Sequence, residues 1–304
     1  MTTVGATDLI ATDLDRTLIY SAAAAGVAAP DDPLAMAEFR CVELYRGAPQ
    51  SFMSPAAVEL LTELDTLAVV VPTTTRSVEQ FRRVELPLDG GRRPRYAVAA
   101  NGGEILLDGV ADPGWRTEVE RRLRAVSAPV EEVYDHLAAD ADPTWLTNLR
   151  VADGLFCYAV VDLPAMPTDV VSGWRAWAEQ RGWNVSRQGR KIYVVPDPLT
   201  KASAIEAIGE RYLPERPRRM FAAGDGVLDR SMLVAADRSI RPRHGELQEL
   251  SWHHPSLSVT SSSGIVASAE ILETLLVWTR TDPPAPETVT PAAPHTDLDE
   301  QDRN

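Results

Sequence analysis

Apolar residues along the chain come in two rhythms. Short runs bounded by polar or turn residues predict strands over 9–13, 68–72, 96–100, 220–223 and 257–260. Longer stretches with helical spacing predict helices over 54–65, 77–84, 200–212 and 264–280, with Ser54 as N-cap of the first. Strands alternating with amphipathic helices are the signature of a parallel sheet covered on both faces, so the two ends of the chain read as an α/β fold.

The middle breaks this rhythm. Two polar amphipathic helices are predicted over 117–126 and 130–138, strands over 145–150 and 154–161, a helix over 168–182, and strands over 183–187 and 191–195. About 90 residues far exceed an ordinary connection between neighbouring parallel strands. The expected organisation is therefore a discontinuous core, 1–103 with 197–280, and an inserted α/β domain over 104–196. The stretch 281–304 is rich in proline, with six acids against Arg303, and reads as a disordered acidic tail. The excursion between Leu18 and Met53 reads as a solvated loop rather than a flap.

Composition narrows the partners. The formal charge of −14 argues against nucleic acid as a ligand. No apolar run is long enough to span a bilayer and no leader pattern opens the chain, so a membrane partner is not expected. Cys41 and Cys157 stand far apart with no Cys-x-x-Cys pair, which fits a reducing cytoplasm.

The chemistry concentrates where predicted strands end. Asp13 and Asp15 follow the first strand, two residues apart on an extended chain, so their side chains point to the same side. An EF-hand loop is excluded, because position six from Asp13 is Leu18 and position twelve is Ala24. After the second strand, Thr73 to Ser77 place hydroxyls and backbone N–H groups beside a helix start, a ready anion site that includes Thr74, Thr75 and Arg76. Lys201 lies in the first turn of a helix, where the dipole disfavours a cation, so it needs a compensating partner. Asp225 and Asp229 follow another apolar strand, one helical turn apart, with glycines permitting a close approach.

Taken in order, Asp-x-Asp-x-Thr, Thr, Lys and Gly-Asp-x-x-x-Asp resemble the four motifs of the haloacid dehalogenase (HAD) superfamily of phosphohydrolases, over the chain from Asp8 to about Arg280. The insertion after Asn101-Gly102-Gly103 is similar to the C2-type cap of the subgroup that includes Cof-like, sucrose-phosphate and mannosyl-3-phosphoglycerate phosphatases. The resemblance implies a Rossmann-like parallel-sheet core and a Mg²⁺-dependent phosphatase acting on a small phosphorylated metabolite, such as a sugar or polyol phosphate. It implies Asp13 as nucleophile and Asp15 as acid and base, the latter kept partly protonated by its neighbours. Asp13, the backbone carbonyl of Asp15 and Asp225 would hold the metal, with Asp229 orienting its waters or pairing with Lys201. Thr74 and Lys201 would hold phosphoryl oxygens, and Thr74, Thr75, Arg76, Asn101, Arg187 and Lys191 are the expected substrate contacts. Arg187, Arg190 and Lys191 cluster at a turn of the insert. A phosphomutase using the same aspartyl phosphate, or a non-catalytic phospho-ligand sensor, are the alternative readings.

Two positions depart from the family pattern: Arg16 stands where many members have Gly, and Gly226 where many have Ser or Thr. Elsewhere His253 and His254 read as surface loop, Arg121, Arg122 and Arg124 as a solvated helix face, and Trp115, Trp145, Trp174, Trp177 and Trp183 as packing.

Overall fold

A computed structural model describes residues 7–281; the acidic tail read over 281–304 lies outside the described residues apart from Thr281. Its centre is a five-stranded parallel sheet in the order Leu257–Val259, Arg238–Arg241, Met220–Ala223, Leu9–Thr12, Val69–Pro72. Leu9–Thr12 is buried throughout, as a central strand covered on both faces requires. Its side chains alternate between two cores. Ile10 joins Leu61 and Leu64 of the helix Pro55–Leu67 and Leu272 and Leu275 of Val266–Arg280. Leu9 and Ala11 join Ile205 and Ile208 of Lys201–Arg211 and Leu233 of Arg230–Ala235. The predicted α/β core is therefore present, with both covering layers.

The strand read over 96–100 is real as Tyr96–Ala99 but does not extend that ladder. Ala100, Asn101 and Gly102 all take positive φ, at 49°, 55° and 100°, and turn the chain back on itself. Glu104–Leu107 then pairs antiparallel with Tyr96–Ala99, and Val110–Ala111 adds a third strand; a bridge between Thr73 and Val98 joins this ribbon to the end of the central sheet. Asp112 then caps the helix Pro113–Val126. An apolar run specifies burial, not its strand partner, and the local reversal decided the pairing.

The excursion after Leu18 corrects the loop expectation. Arg40–Tyr45 and Ala48–Met53 form an antiparallel hairpin around Arg46 and Gly47, whose φ values of 52° and 79° suit a two-residue primed turn. Tyr20, Met36, Phe52 and Ile265 pack beneath it. A bulge around Glu43 shifts the register and turns that carboxylate inward, leaving it 2% exposed.

Within the insert, the strands Trp183–Gln188, Lys191–Pro196, Phe156–Val161 and Leu146–Ala152 form one antiparallel sheet in that order. Cross-strand partners share a face. Val185, Ile192, Val194, Cys157 and Ala159 lie on the face packed against the helices, with Val133 and Leu137 of Val130–Ala139 and Trp174 of Val170–Glu179 in the same core. The opposite face carries Ser186, Gln188, Lys191, Tyr193, Tyr158, Arg150 and Asn148. Four of the five insert tryptophans are buried, and Trp177 stacks on His136 with ring centroids 3.8 Å apart, so all five serve packing.

Candidate active site

The central strand ends in Asp13, whose N–H donates to the Ala223 carbonyl and so fixes it at the carboxyl edge of the sheet, where open α/β sheets bind ligands. Thr200 caps the helix Lys201–Arg211 through its side chain, which sets Lys201 as the first helical residue. The Lys201 side chain is 1% exposed, and its ammonium donates to Asp13 Oδ1 and Asp229 Oδ1, each at 2.5 Å. These two carboxylates are the compensation that a lysine in a first helical turn demands.

Asp229 is fully engaged. Its second oxygen accepts the N–H groups of Asp225 at 3.0 Å and Gly226 at 2.8 Å, which folds the loop back so that Asp225 faces Asp13. One carboxylate oxygen from each of Asp13, Asp225 and Asp229 lies within 4.8 Å of the others, and all three residues are buried. Burial pushes Asp13 up to about 7, with Asp229 adding to the rise and Lys201 opposing it. Burial likewise lifts Asp225 well above the carboxylate range, Asp13 and Asp229 adding, while Arg16, its Nε 3.4 Å from Asp225 Oδ2, opposes. Three buried acids share one fully buried lysine and the half-exposed Arg16, which leaves them short of positive charge. An all-oxygen donor set of that kind suits a hard divalent cation, and Mg²⁺ fits the residues present. Asp13 and Asp225 each keep one carboxylate oxygen outside these contacts, whereas both oxygens of Asp229 are spent on Lys201 and two amides.

Near Asp13, whose rise its charge reinforces, lies Asp15. Arg76 grips it with a two-pronged bond, Nε to Oδ2 and Nη2 to Oδ1, both 2.7 Å. Desolvation by the cleft walls pushes Asp15 up, but the Arg76 pair outweighs it, with Lys191 and Lys201 adding, and holds the carboxyl below its ordinary range. The expectation that neighbours keep Asp15 partly protonated is therefore reversed in this state. Arg76 in turn donates to Glu43 Oε2 at 2.8 Å, and Glu43 accepts from Arg83 at 3.2 Å and from the Ser51 hydroxyl at 2.7 Å. The hairpin thus anchors the residue that grips Asp15.

The remaining sequence candidates divide. Thr74 is fully buried, its hydroxyl accepting the Arg76 N–H at 3.1 Å. Thr75 donates to the Tyr193 hydroxyl at 3.5 Å, a contact between the core and the insert. Lys191 lines a cavity of about 550 Å³ together with Thr75, Arg76, Arg150, Tyr158 and Tyr193. Asn101 is buried; its amide donates to the Leu199 carbonyl at 2.9 Å, tying the ribbon turn to the loop that precedes Lys201, and its Oδ1 has no partner. Arg187 is not brought to the site. It shares a sheet face with Ile192, and its guanidinium meets the Gly189 carbonyl at 3.4 Å and Glu249 at 3.8 Å. Alternation along a strand sends neighbours at a turn to opposite faces, which a cluster of basic residues in sequence conceals.

Sequence reasoning missed Glu43, Tyr158, Tyr193, Gln188 and Glu246. Arg46-Gly47 between two extended segments was the available signal for the hairpin that carries Glu43. Both departures from the family pattern have a structural setting. Arg16 takes φ 67°, a left-handed conformation that explains the usual glycine, and its side chain reaches Asp225. Gly226 makes room for Gln188: a Cβ there would lie 2.0 Å from Gln188 Nε2.

No protein-family model matches this chain, and no curated protein sequence matches it. Solved structures do. The sucrose-phosphatase of Synechocystis, solved with sucrose and phosphate, matches at 17% identity and TM-score 0.60 over 89% of this chain and 98% of that one. A Thermoplasma acidophilum protein matches at 14% identity and TM-score 0.55 over 90% and 99%, and a trehalose-6-phosphate phosphatase related protein at 18% and 0.51 over 89% and 97%. The chain has the fold of the HAD type IIB phosphatases, with the insert included in the match.

Proposed function

We propose that this protein is a Mg²⁺-dependent phosphatase that hydrolyses a small phosphorylated metabolite, a sugar or polyol phosphate, through an aspartyl phosphate. The observation that carries the reading is the Lys201 ammonium clamped between Asp13 and Asp229 beside Asp225, at the carboxyl edge of a parallel sheet of that fold. The sheet core binds the phosphoryl group, and the insert over 104–196 lies over the leaving group. Two unpaired cysteines, Cys157 buried with its thiol pushed up to about 12, fit a cytoplasmic protein. No helix among the described residues is long and apolar enough to cross a membrane.

Asp13 and Asp225 would hold the metal, which when bound offsets the charge of the acids and of the phosphoryl oxygens. Lys201 fixes one oxygen of Asp13, leaving the other to attack phosphorus as the bond to the leaving oxygen breaks. The departing oxygen needs a proton, and Asp15 is the group placed to give it. In the resting state Arg76 keeps Asp15 ionised; a dianionic phosphoryl group beside it competes for Arg76 and raises the proton affinity of Asp15. In the second half, Asp15 takes the proton back from a water that attacks the aspartyl phosphate, releasing phosphate and restoring Asp13. Thr74 and Lys201 hold the phosphoryl oxygens, and Lys191 and the tyrosine pair face the leaving group.

A panel of phosphorylated metabolites assayed for phosphate release with Mg²⁺ and with excess chelator tests the reading. Release that needs the metal and disappears in Asp13→Asn supports it; release unaffected by either change overturns it.

A further inference from the structure

One carboxylate joins the insert to the loop that carries Asp225 and Asp229. Glu246 opens the short helix Glu246–Glu249. Its Oε2 accepts the Ser186 hydroxyl at 2.8 Å and the Val227 N–H at 3.0 Å, and its Oε1 accepts the Arg187 N–H at 3.1 Å. Ser186 and Arg187 belong to the insert strand Trp183–Gln188, whereas Val227 lies between the two acids of the loop. The Glu246 segment is itself seated on that loop: the Leu247 N–H donates to the Asp225 carbonyl at 3.0 Å, and a Cβ at Gly245 would meet Asp225 Oδ2 at 2.4 Å. A second contact runs in parallel. Gly226 has φ −110°, open to any residue, so what glycine supplies there is room rather than conformation. The room is taken by the Gln188 amide from the end of the same insert strand.

We propose that Glu246 is a positioning residue that clasps the insert down onto the acidic loop, with Gly226 as the socket for Gln188, so that closure of the cleft and the placing of Asp225 are set together. A carboxylate is suited to this, since its two oxygens accept from both bodies at once, and its loss strands donors on both sides. The clasp rests on the phosphatase reading only for what it encloses. The contacts themselves are measured without turnover, so absence of phosphatase activity and absence of a clasp are separate results.

The test is residue-resolved amide hydrogen exchange on the full chain without added metal. Arg187 and Val227 donate their N–H groups to the same side chain, so Glu246→Ala is expected to speed exchange at both by about tenfold or more, as local opening of a shared contact does. Gly226→Ser keeps Glu246 but expels Gln188, and is expected to deprotect Arg187; adding Gln188→Ala makes room for the serine and restores protection. This rescue separates the clasp from general loss of folding. Faster exchange at Val227 alone in Glu246→Ala would show that Glu246 only caps its own loop, and unchanged Arg187 exchange in Gly226→Ser would remove the socket. Either result overturns the proposal.

Discussion

At the scale of single residues, the site is a balance of buried charge in which Lys201 is the pivot. Removing it leaves Asp13 and Asp229 buried with no cation between them, and breaking a buried pair in this way costs about 3–5 kcal/mol. Lys201→Met should therefore lower the melting temperature of the metal-free protein and abolish phosphate release. The two effects separate in a double variant: Asp13→Asn with Lys201→Met should recover part of the stability and none of the activity, as read by calorimetry and a phosphate assay. Asp13→Asn alone should fall by several orders of magnitude in turnover while folding normally, because an amide is a poor phosphoryl acceptor. Wild-type-like turnover in that variant would remove Asp13 as nucleophile. Asp13, Lys201, Asp225 and Asp229 were legible in sequence because each sits at the end of an apolar strand or the start of a helix, so local pattern and three-dimensional position coincide. Asp15 was legible in place but not in charge, since its partner Arg76 is gripped from the hairpin, far along the chain.

Among the elements, the hairpin Arg40–Tyr45 and Ala48–Met53 does what its sequence least suggests. Its inward carboxylate depends on the bulge at Glu43, and the exposed residues of the two strands fall in runs rather than in alternation, so no period-2 pattern announces a buried face. Glu43→Gln removes the charge that draws Arg76, leaving that guanidinium to Asp15 among the described carboxylates. The expected result is a tighter Arg76–Asp15 pair and a poorer proton donor: turnover of an alkyl phosphate, whose leaving oxygen needs the proton, should fall about tenfold more than that of an activated aryl phosphate. Equal losses on the two substrates would assign Glu43 a purely structural part. The same lesson holds for the insert sheet. Its strands were readable, but which face looks at the site was not, because both faces carry polar residues near the turn. Alternation settles it: Lys191→Ala should raise KM for the natural substrate by about tenfold, the loss of one charge-assisted contact, whereas Arg187→Ala should leave KM unchanged.

For the whole molecule, the crowding of acids at one sheet edge makes stability depend on pH in an unusual direction. Asp13 is raised from 3.8 to about 7 in the folded state, and Asp225 is raised as well, so between those values the folded protein binds more protons than the unfolded chain. Stability from these two groups is full below the unfolded carboxylate range and is lost as pH climbs toward 7. Most carboxylates act in the opposite sense; Asp8, which burial would raise but which is lowered by Arg219 and Arg218, contributes stability that is lost as pH falls. The site's own share is thus a difference between proteins: metal-free wild type should lose stability relative to Asp13→Asn as pH rises from about 5 to 8, followed by denaturant unfolding in chelator. A divalent cation held by Asp13 and Asp225 favours their charged forms, so saturating Mg²⁺ should stabilise the wild type more at pH 8 than at pH 5 and do much less for Asp13→Asn. A difference between the two proteins that stays flat with pH, or equal stabilisation of both by Mg²⁺, would mean that Asp13 neither carries the excess proton of the folded state nor holds the metal.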